Sequence, residues 1–244
     1  MMPFKYAILG DIHANWPALE AVLADAEAQG ANRYACVGDV VGYNADPLPC
    51  LKKVRELMDG SVVRGNHDHY CSTEAPLDGF HPLAAEVVKW TRQQLGDEDR
   101  AWLSSLPYAK SLATFMMVHG TLDGPEMWGY VFDPLQAEAS FAYQMSAVCF
   151  FGHTHVPTAF EKAGVVRGGL YSVLRIMPGR KYYINVGSVG QPRDGDPRAA
   201  YALYDMMTGV VELRRVEYDV AAAQARIREA GLPERAATRL AAGR

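Results

Sequence analysis

The sequence lacks several features that would each point to a simple class of protein. Its 244 residues carry 24 Lys and Arg against 28 Asp and Glu, a net charge of −4, which argues against a protein that coats nucleic acid. No stretch approaches the roughly 18 continuous apolar residues of a membrane span, so no membrane partner is expected. The apolar stretch before Gly10 is too short for a secretory signal, and we therefore expect a cytoplasmic protein.

Cysteine is also scarce. The four cysteines show no CxxC spacing, which argues against a zinc knuckle and against a thioredoxin-type redox site. Cys36 and Cys149 lie in apolar runs, where we expect buried and reduced thiols. Apolar residues make up 49% of the chain, and no repeat or linker interrupts it, so residues 1–244 are predicted to form a single α/β domain.

Apolar runs and turn residues predict the first elements. Strands are expected at Phe4–Leu9, Tyr34–Val37 and Ser61–Val63. Helices are expected between them at Trp16–Gln29 and Pro47–Met58, each with Pro near its start. This β-α-β-α-β opening predicts parallel strands joined by right-handed crossovers.

The rest of the chain is predicted to continue the α/β pattern and then to change. Further helices are expected at Pro82–Gln94, Asp97–Leu106 and Pro134–Met145. Further strands are expected at Thr114–Val118, Ala147–Phe151, Thr158–Glu161, Val165–Val166, Tyr182–Val186, Tyr201–Asp205 and Val210–Glu217. The close spacing of the last strands indicates antiparallel pairing in a mixed second sheet, and the Ala- and Arg-rich tail from about Val220 is predicted to be helical.

Polar residues follow five of the predicted strands. They are Asp11-Ile12-His13, Gly38-Asp39, Gly65-Asn66-His67-Asp68, His119-Gly120 and Gly152-His153-Thr154-His155. Ligand sites gather at the carboxyl ends of strands in open α/β sheets, so these blocks can converge in space. Each block alone has a simpler interpretation as a turn, a helix cap or a core histidine. Five of the seven histidines lie in these blocks, and together they predict a metal site.

The five blocks, in this order, resemble the signature of the calcineurin-like metallophosphoesterases: D-x-H, G-D, G-N-H-D, H and G-H-x-H. The match runs from about Phe4 to about Glu217, and it is closest to the small bacterial and archaeal phosphodiesterase branch. Val37–Tyr43, Arg64–Asp68 and Gly187–Arg198 carry that closer likeness. The resemblance implies a four-layer α/β/β/α sandwich of two mixed sheets, with the metal site at the C-terminal ends of strands.

The resemblance also implies two divalent metal ions. The first would be held by Asp11, His13, Asp39 and His155, and the second by Asp39, Asn66, His119 and His153, with Asp39 bridging the two. Mixed imidazole and carboxylate ligands suit transition metals, and we favour Mn, with Fe, Ni, Co and Zn as alternatives. Such a pair lowers the pKa of a bridging water and clamps a phosphate for in-line attack by hydroxide. With no cysteine nucleophile or P-loop in view, this is the simpler mechanism.

His67 lies next to a proposed ligand but is not one, and we expect it to act as general acid toward the leaving group. The alternative is that it only binds phosphate or shapes its loop. Protein phosphatases of the superfamily carry an Asp and an Arg where this chain has Gly42 and Tyr43, which argues against protein phosphatase activity. Asp68 and Asp46 are the candidates to orient His67. His69 and His81 lie outside the signature.

The predicted activity is hydrolysis of a phosphodiester in a small phosphoester substrate. Two divalent cations, two carboxylates and one hydroxide leave a formal charge of +1, which matches a diester better than a monoester dianion. The alternatives are a phosphomonoesterase or dinucleoside polyphosphate hydrolase on the same centre and, remotely, a non-catalytic interaction scaffold. Nucleic acid is expected only as a small nucleotide substrate. A homo-oligomer and the roles of Arg193 and Arg198 remain open.

Overall fold

The computed structural model describes residues 4–112 and 114–244, so residues 1–3 of the predicted domain lie outside the described residues. The strands are β1 (Lys5–Leu9), β2 (Arg33–Cys36), β3 (Ala109–Ser111), β4 (Phe115–Val118), β5 (Val148–Phe151), β6 (Thr158–Ala163), β7 (Val165–Leu170), β8 (Val173–Arg175), β9 (Lys181–Asn185), β10 (Ala199–Asp205) and β11 (Val210–Val216). The helices are α1 (Trp16–Ala28), α2 (Pro47–Met58), α3 (Asn66–Ser72), α4 (Pro82–Gln94), α5 (Asp97–Ser105), α6 (Pro134–Tyr143), α7 (Val220–Glu229) and α8 (Glu234–Ala242).

The strands form two mixed sheets. The first has the order β2-β1-β10-β11-β8, and its β1 and β2 are parallel, as the β-α-β opening predicts. The second has the order β3-β4-β5-β9-β6-β7, with β4, β5 and β9 parallel and the other pairs antiparallel. The predicted antiparallel pairing of the late strands is confirmed in both sheets, because β10 and β11 pair in the first and β6, β7 and β9 in the second.

The alternation of side chains along the strands produces the layers. In β1, Ala7 and Leu9 face α1 and α2, whereas Ile8 faces the second sheet. In β5, Phe150 packs between the sheets, whereas Phe151 packs toward α6. Helices therefore cover the outer face of each sheet, and the predicted α/β/β/α sandwich is confirmed.

The third predicted strand differs from the structure. Ser61–Val63 forms only an isolated parallel bridge between Val62 and Cys36, and the chain then enters α3, a helix that the sequence analysis did not predict. The Gly65 N–H donates to the Asp68 carboxylate at 3.1 Å, a local cap that starts a helix where an apolar pattern gives no sign of one. The functional block 65–68 thus lies at a helix N-terminus.

The predicted helical tail is confirmed as α7 and α8. Their apolar faces pack with α4 in a cluster of buried residues, Leu83, Val87, Ala223, Ile227, Leu232, Ala236, Ala237 and Leu240. The four cysteines are buried and free, as predicted for Cys36 and Cys149. Within residues 4–112 and 114–244, no helix has the length and apolar character needed to cross a membrane.

Asp25 fastens α1 to the first sheet. Its carboxylate accepts hydrogen bonds from the Tyr201 hydroxyl at 2.7 Å and from an Arg214 guanidinium nitrogen at 2.9 Å. Burial alone would raise the pKa of Asp25, but the hydrogen bonds from Arg214 and Tyr201 outweigh it and lower the pKa. A lowered pKa means that the ionised Asp25 carboxylate stabilises the folded state relative to the unfolded state.

We therefore expect Asp25→Asn to reduce the free energy of unfolding at pH 7 by about 1–2 kcal/mol. The loss should shrink as the pH falls through the folded pKa of Asp25, because the native carboxylate is then protonated as well. Urea unfolding of both proteins between pH 7 and pH 3 measures this difference, with Asp59→Asn at an exposed position as the matched control. A difference that stays constant over this range would contradict the ionic origin.

Candidate metal centre

The predicted ligand blocks converge where the two sheets meet. Asp11 and His13 follow β1 and Asp39 follows β2, both in the first sheet, whereas His119 follows β4 and His153 and His155 follow β5 in the second. The N-terminus of α3 adds Asn66 and His67 from a third direction. The structure brings all eight predicted site residues together, and all but the half-buried Asn66 are buried.

One group of donor atoms surrounds the Asp11 carboxylate. Asp11 Oδ1 lies 3.2 Å from His155 Nε2 and 3.8 Å from His13 Nε2. The two Nε2 atoms of His13 and His155 are 3.1 Å apart. The three donor atoms therefore meet closely enough to hold one metal ion.

A second group surrounds His119. Its Nε2 lies 3.2 Å from Asp39 Oδ2, 3.2 Å from Asn66 Oδ1 and 3.2 Å from His153 Nδ1. Asp39 Oδ2 is also 3.6 Å from His13 Nε2 in the first group. Asp39 thus lies within reach of both groups, and it is closer to His119 than Asp11 is, whose Oδ1 is 4.0 Å from His119 Nε2.

The tautomers of the histidines leave lone pairs facing each other. Nδ1 of His13 donates to the carbonyl of Val41 at 3.0 Å, and Nδ1 of His155 donates to the carbonyl of Gln191 at 2.6 Å, because a carbonyl can only accept. In the neutral rings the two Nε2 atoms then carry lone pairs, which repel each other at 3.1 Å. A cation between them removes this conflict, so the donor set fits a metal ion. A histidine that binds a metal ion through one ring nitrogen usually donates its other ring N–H to a carbonyl, a carboxylate or water.

Charge in the centre is unevenly distributed. Burial lowers the pKa of His13, His153 and His155, so these rings are neutral and able to bind metal. Burial also disfavours the charged form of His119, but the neighbouring Asp39 carboxylate outweighs it and raises the pKa of His119 to about 9. The buried carboxylates therefore attract positive charge, as a metal site must.

The backbone of the ligand loops is strained. Asp11, His13, Asp39, His153 and His155 all have left-handed φ values, between 48° and 68°. Such values are unfavourable for residues with a side chain and gather at functional sites. Two glycines make room for the carboxylates, because a Cβ at Gly65 would overlap Asp39 and one at Gly152 would overlap Asp11.

His67 faces the cavity, with the Asp39 carboxylate within 4.8 Å of one of its ring nitrogens but with no carboxylate of the described residues paired to it. Asp68 accepts backbone hydrogen bonds from Asp39 and Val40 at 2.8 Å each, and Asp46 pairs with Arg226 at 2.8 Å, so neither candidate orients the ring. The ring packs instead against Tyr43, with 4.5 Å between centroids, and its Nδ1 is buried with no hydrogen-bond partner among the described residues. Burial lowers the pKa of His67 to about 4.

A cavity of about 200 Å³ opens above the donor groups. Arg193 lines it, with its guanidinium 5.3 Å from the centroid of Tyr43, whereas Arg198 pairs with Asp196 on the surface at 2.7 Å. Of the two arginines, Arg193 is thus the one that lines the cavity. His69 lies against Trp128, 5.2 Å between centroids, away from the donors.

Two residues of the cavity were not singled out from the sequence. Tyr130 stacks on the ring of His153, with 4.1 Å between centroids, and no local pattern marks it. His81 caps α4 by accepting from the Leu83 N–H at 3.3 Å, and it also lines the cavity. Its position before Pro82 suggested only the helix start.

Comparison with known proteins agrees with this geometry. The family model described as a calcineurin-like phosphoesterase superfamily domain matches residues 4–209. The chain is 36% identical to an uncharacterized protein of Methanocaldococcus jannaschii, covering 100% of both chains, and 26% identical to the phosphodiesterase YfcE of Escherichia coli, covering 84% of this chain and 88% of that one. The crystal structure of a metallophosphoesterase from Sphaerobacter thermophilus is similar with a TM-score of 0.88 and 40% identity, covering 99% of this chain and 100% of that one. The chain therefore belongs to the calcineurin-like phosphoesterase superfamily.

Proposed function

We propose that the protein is a binuclear metallophosphodiesterase that acts on a small phosphoester. The observation that carries the proposal is the pair of donor groups joined by Asp39 at the floor of an open cavity. The relationship to a phosphodiesterase of Escherichia coli supports the reaction class. The buried free thiols are consistent with the reducing cytoplasm expected from the sequence.

The ligand sets proposed from the sequence suit the donor geometry. Asp11, His13, Asp39 and His155 would hold one ion, and Asp39, Asn66, His119 and His153 the other. When bound, two such ions supply a hydroxide nucleophile at neutral pH and neutralise charge on the phosphate. The imidazole nitrogens favour Mn or another transition metal over Mg, which prefers oxygen ligands.

The chain itself prepares Asp39 for a bridging role. The backbone N–H of His67, in the first turn of α3, donates to Asp39 Oδ1 at 2.8 Å. Oδ2 is thereby turned toward His119 and His13. The same turn of helix fixes the base of the His67 side chain, so one short segment positions both the shared carboxylate and the proposed general acid.

His67 requires a protonated ring to act as general acid. Its buried ring is neutral near pH 7, and Arg193 lowers its pKa further, whereas Asp39 raises it. An anionic phosphate beside the ring also raises the pKa, since a nearby negative charge favours the imidazolium.

Arg193 favours a second candidate on the same centre. Its positive charge in the cavity adds to the +1 of the metal-hydroxide arrangement and would suit a phosphomonoester or a dinucleoside polyphosphate. A panel of cyclic nucleotides, linear diesters, monoesters and dinucleoside polyphosphates on metal-loaded protein separates these reactions. Highest kcat/KM on a monoester would overturn the diesterase assignment, and no hydrolysis of any member would overturn the enzyme assignment.

Metal dependence gives the first test. We expect chelation to abolish hydrolysis and Mn to restore it better than Mg, because several imidazole nitrogens surround the proposed ions. Rates are measured on protein stripped of metal and reloaded with one ion at a time. Full activity with Mg alone, in protein shown by elemental analysis to be free of transition metals, would contradict the ligand assignment.

Metal content gives the second test. We expect Asp39→Ala to lose both ions and His13→Ala to lose mainly one, since Asp39 is the residue shared by both proposed ligand sets and lies 3.2 Å from His119 and 3.6 Å from His13. Elemental analysis gives the ratio of metal to protein, and added Mn should no longer raise the Tm of Asp39→Ala. His69→Gln is the matched control and should keep two ions. Two ions per chain in Asp39→Ala would rule out the bridging role.

The dependence of the hydrolysis rate on the leaving group tests whether His67 is a general acid. A general acid contributes about 10²–10⁴-fold, and most when the departing oxygen is strongly basic. We expect His67→Ala to slow hydrolysis of an alkyl or ribose diester far more than that of a nitrophenyl diester, with metal content unchanged. If both substrates slow by the same factor, His67 binds phosphate or shapes its loop instead.

A further inference from the structure

A second cavity, of about 700 Å³, adjoins the metal centre. It shares Tyr43, His81, Tyr130 and Arg193 with the first cavity, so the two are continuous. The rest of its lining comes from the C-terminal segment around α8, which lies beyond the match to the family model at 4–209. We call this second space the arginine cleft, because four arginines line it: Arg193, Arg235, Arg239 and Arg244.

The arginine cleft is built on a fixed helix face. Arg235 and Arg239 are four residues apart, so they project from the same side of α8. The other side of α8, with Ala236 and Leu240, is buried against α4 and α7. The helix therefore cannot turn its arginines away from the cleft without exposing this apolar face.

The end of the segment is tied to the loop that carries Arg193. The Gly195 N–H donates to the carbonyl of Gly243 at 3.0 Å, and Arg239 Nε donates to the carbonyl of Arg244 at 2.9 Å. The bond between Gly195 and Gly243 holds the end of α8 beside the loop 191–198, and the bond between Arg239 and Arg244 lies within the tail. The arginines of the two segments therefore face one space.

The charge of the arginine cleft is not neutralised by the protein. Elsewhere in the tail, Arg226 pairs with Asp46 at 2.8 Å and Arg228 pairs with Glu234 at 2.7 Å. No Asp or Glu side chain lines the cleft within the described part of the chain, and Arg193 Nε is buried with no hydrogen-bond partner there. Burial and the neighbouring Arg193 and Arg235 lower the pKa of Arg239. Like charges held together without a counter-charge call for an anionic ligand.

We propose that the arginine cleft binds a second phosphate group of the substrate, while the ester to be cleaved lies at the metal centre. This proposal rests on the proposed phosphoesterase function and narrows its substrate to molecules with at least two phosphates. Guanidinium groups match phosphate through paired, charge-assisted hydrogen bonds. Continuity of the two cavities through Arg193 and Tyr130 lets one molecule reach both sites. A diester with a single phosphate would leave Arg235 and Arg239 without a function.

Binding measurements test the second-phosphate site without depending on turnover. Calorimetry on metal-loaded protein compares thymidine 5′-monophosphate with thymidine 3′,5′-bisphosphate and with thymidine 5′-triphosphate. We expect at least one of the two larger probes to bind 10-fold or more tightly than the monophosphate. A preference for the bisphosphate indicates a sugar-linked second phosphate, and a preference for the triphosphate indicates a polyphosphate chain.

The double variant Arg235→Gln/Arg239→Gln should shrink this affinity gap to threefold or less, while monophosphate binding changes by less than twofold. Arg167→Gln/Arg175→Gln, at exposed positions of β7 and β8, removes the same charge elsewhere and should keep the gap. Chelation of metal by the triphosphate affects all variants alike and leaves the comparison intact. If the double variant fails to fold, Arg235→Gln alone, at an exposed position, should shrink the gap at least threefold.

The two proposals can fail separately. An equal affinity of the native protein for all three probes, or a gap that persists in the double variant, would overturn the second-phosphate site. Hydrolysis of thymidine 5′-(4-nitrophenyl phosphate), which has one phosphate, reports on the phosphodiesterase function instead. If the native protein shows the affinity gap, the double variant loses it, and no ester is hydrolysed, the second-phosphate site is supported and the phosphodiesterase function is overturned.

Discussion

The two donor groups of the site both depend on the carboxylate of Asp39. One oxygen accepts the N–H of His67 from α3, and the other faces His119 from the second sheet and His13 from the first. Three separate parts of the chain therefore meet at a single side chain. The negative charge of Asp39 raises the pKa of His119 to about 9 despite burial. The fold thus concentrates negative charge at the floor of the cavity.

The loops of this centre adopt backbone conformations and side-chain contacts that are locally unfavourable. Five of the proposed ligand residues have left-handed backbone conformations, and the lone pairs of His13 and His155 face each other. The strain is tolerated because the loops begin at the ends of well-packed strands and are cross-linked, as by the His13 N–H to the Asp39 carbonyl at 2.9 Å. Binding of a metal would relieve the lone-pair conflict, so the ion and the rigid sheets stabilise the same geometry.

The sequence predicted more of the candidate metal centre than of the elements that surround it. Asp11, His13 and Asp39 were predictable because each follows an apolar strand, and strand ends in an α/β fold meet at one edge. Helix α3 was missed because its start depends on the Asp68 carboxylate capping Gly65 rather than on an apolar period. The orientation of His67 was also beyond the sequence. Asp68 was a reasonable partner by proximity, but the structure uses its carboxylate to bind the backbone of the Asp39 loop.

The arginine cleft shows why the sequence predicts a helical tail but not the role of its arginines. An Ala- and Arg-rich segment predicts a helix, but its pattern alone does not say where the charged face points. Direction is set by long-range packing: Leu240 and Ala236 are buried against α4 and α7, and Gly243 is bonded to the loop of Arg193. Once that face is fixed, Arg235 and Arg239 lie beside Arg193 with no Asp or Glu side chain between them in the described chain. Under the proposed function, the ester to be cleaved would lie at the metal centre, and the helix outside the region matched by the family model would contribute arginines to a second phosphate.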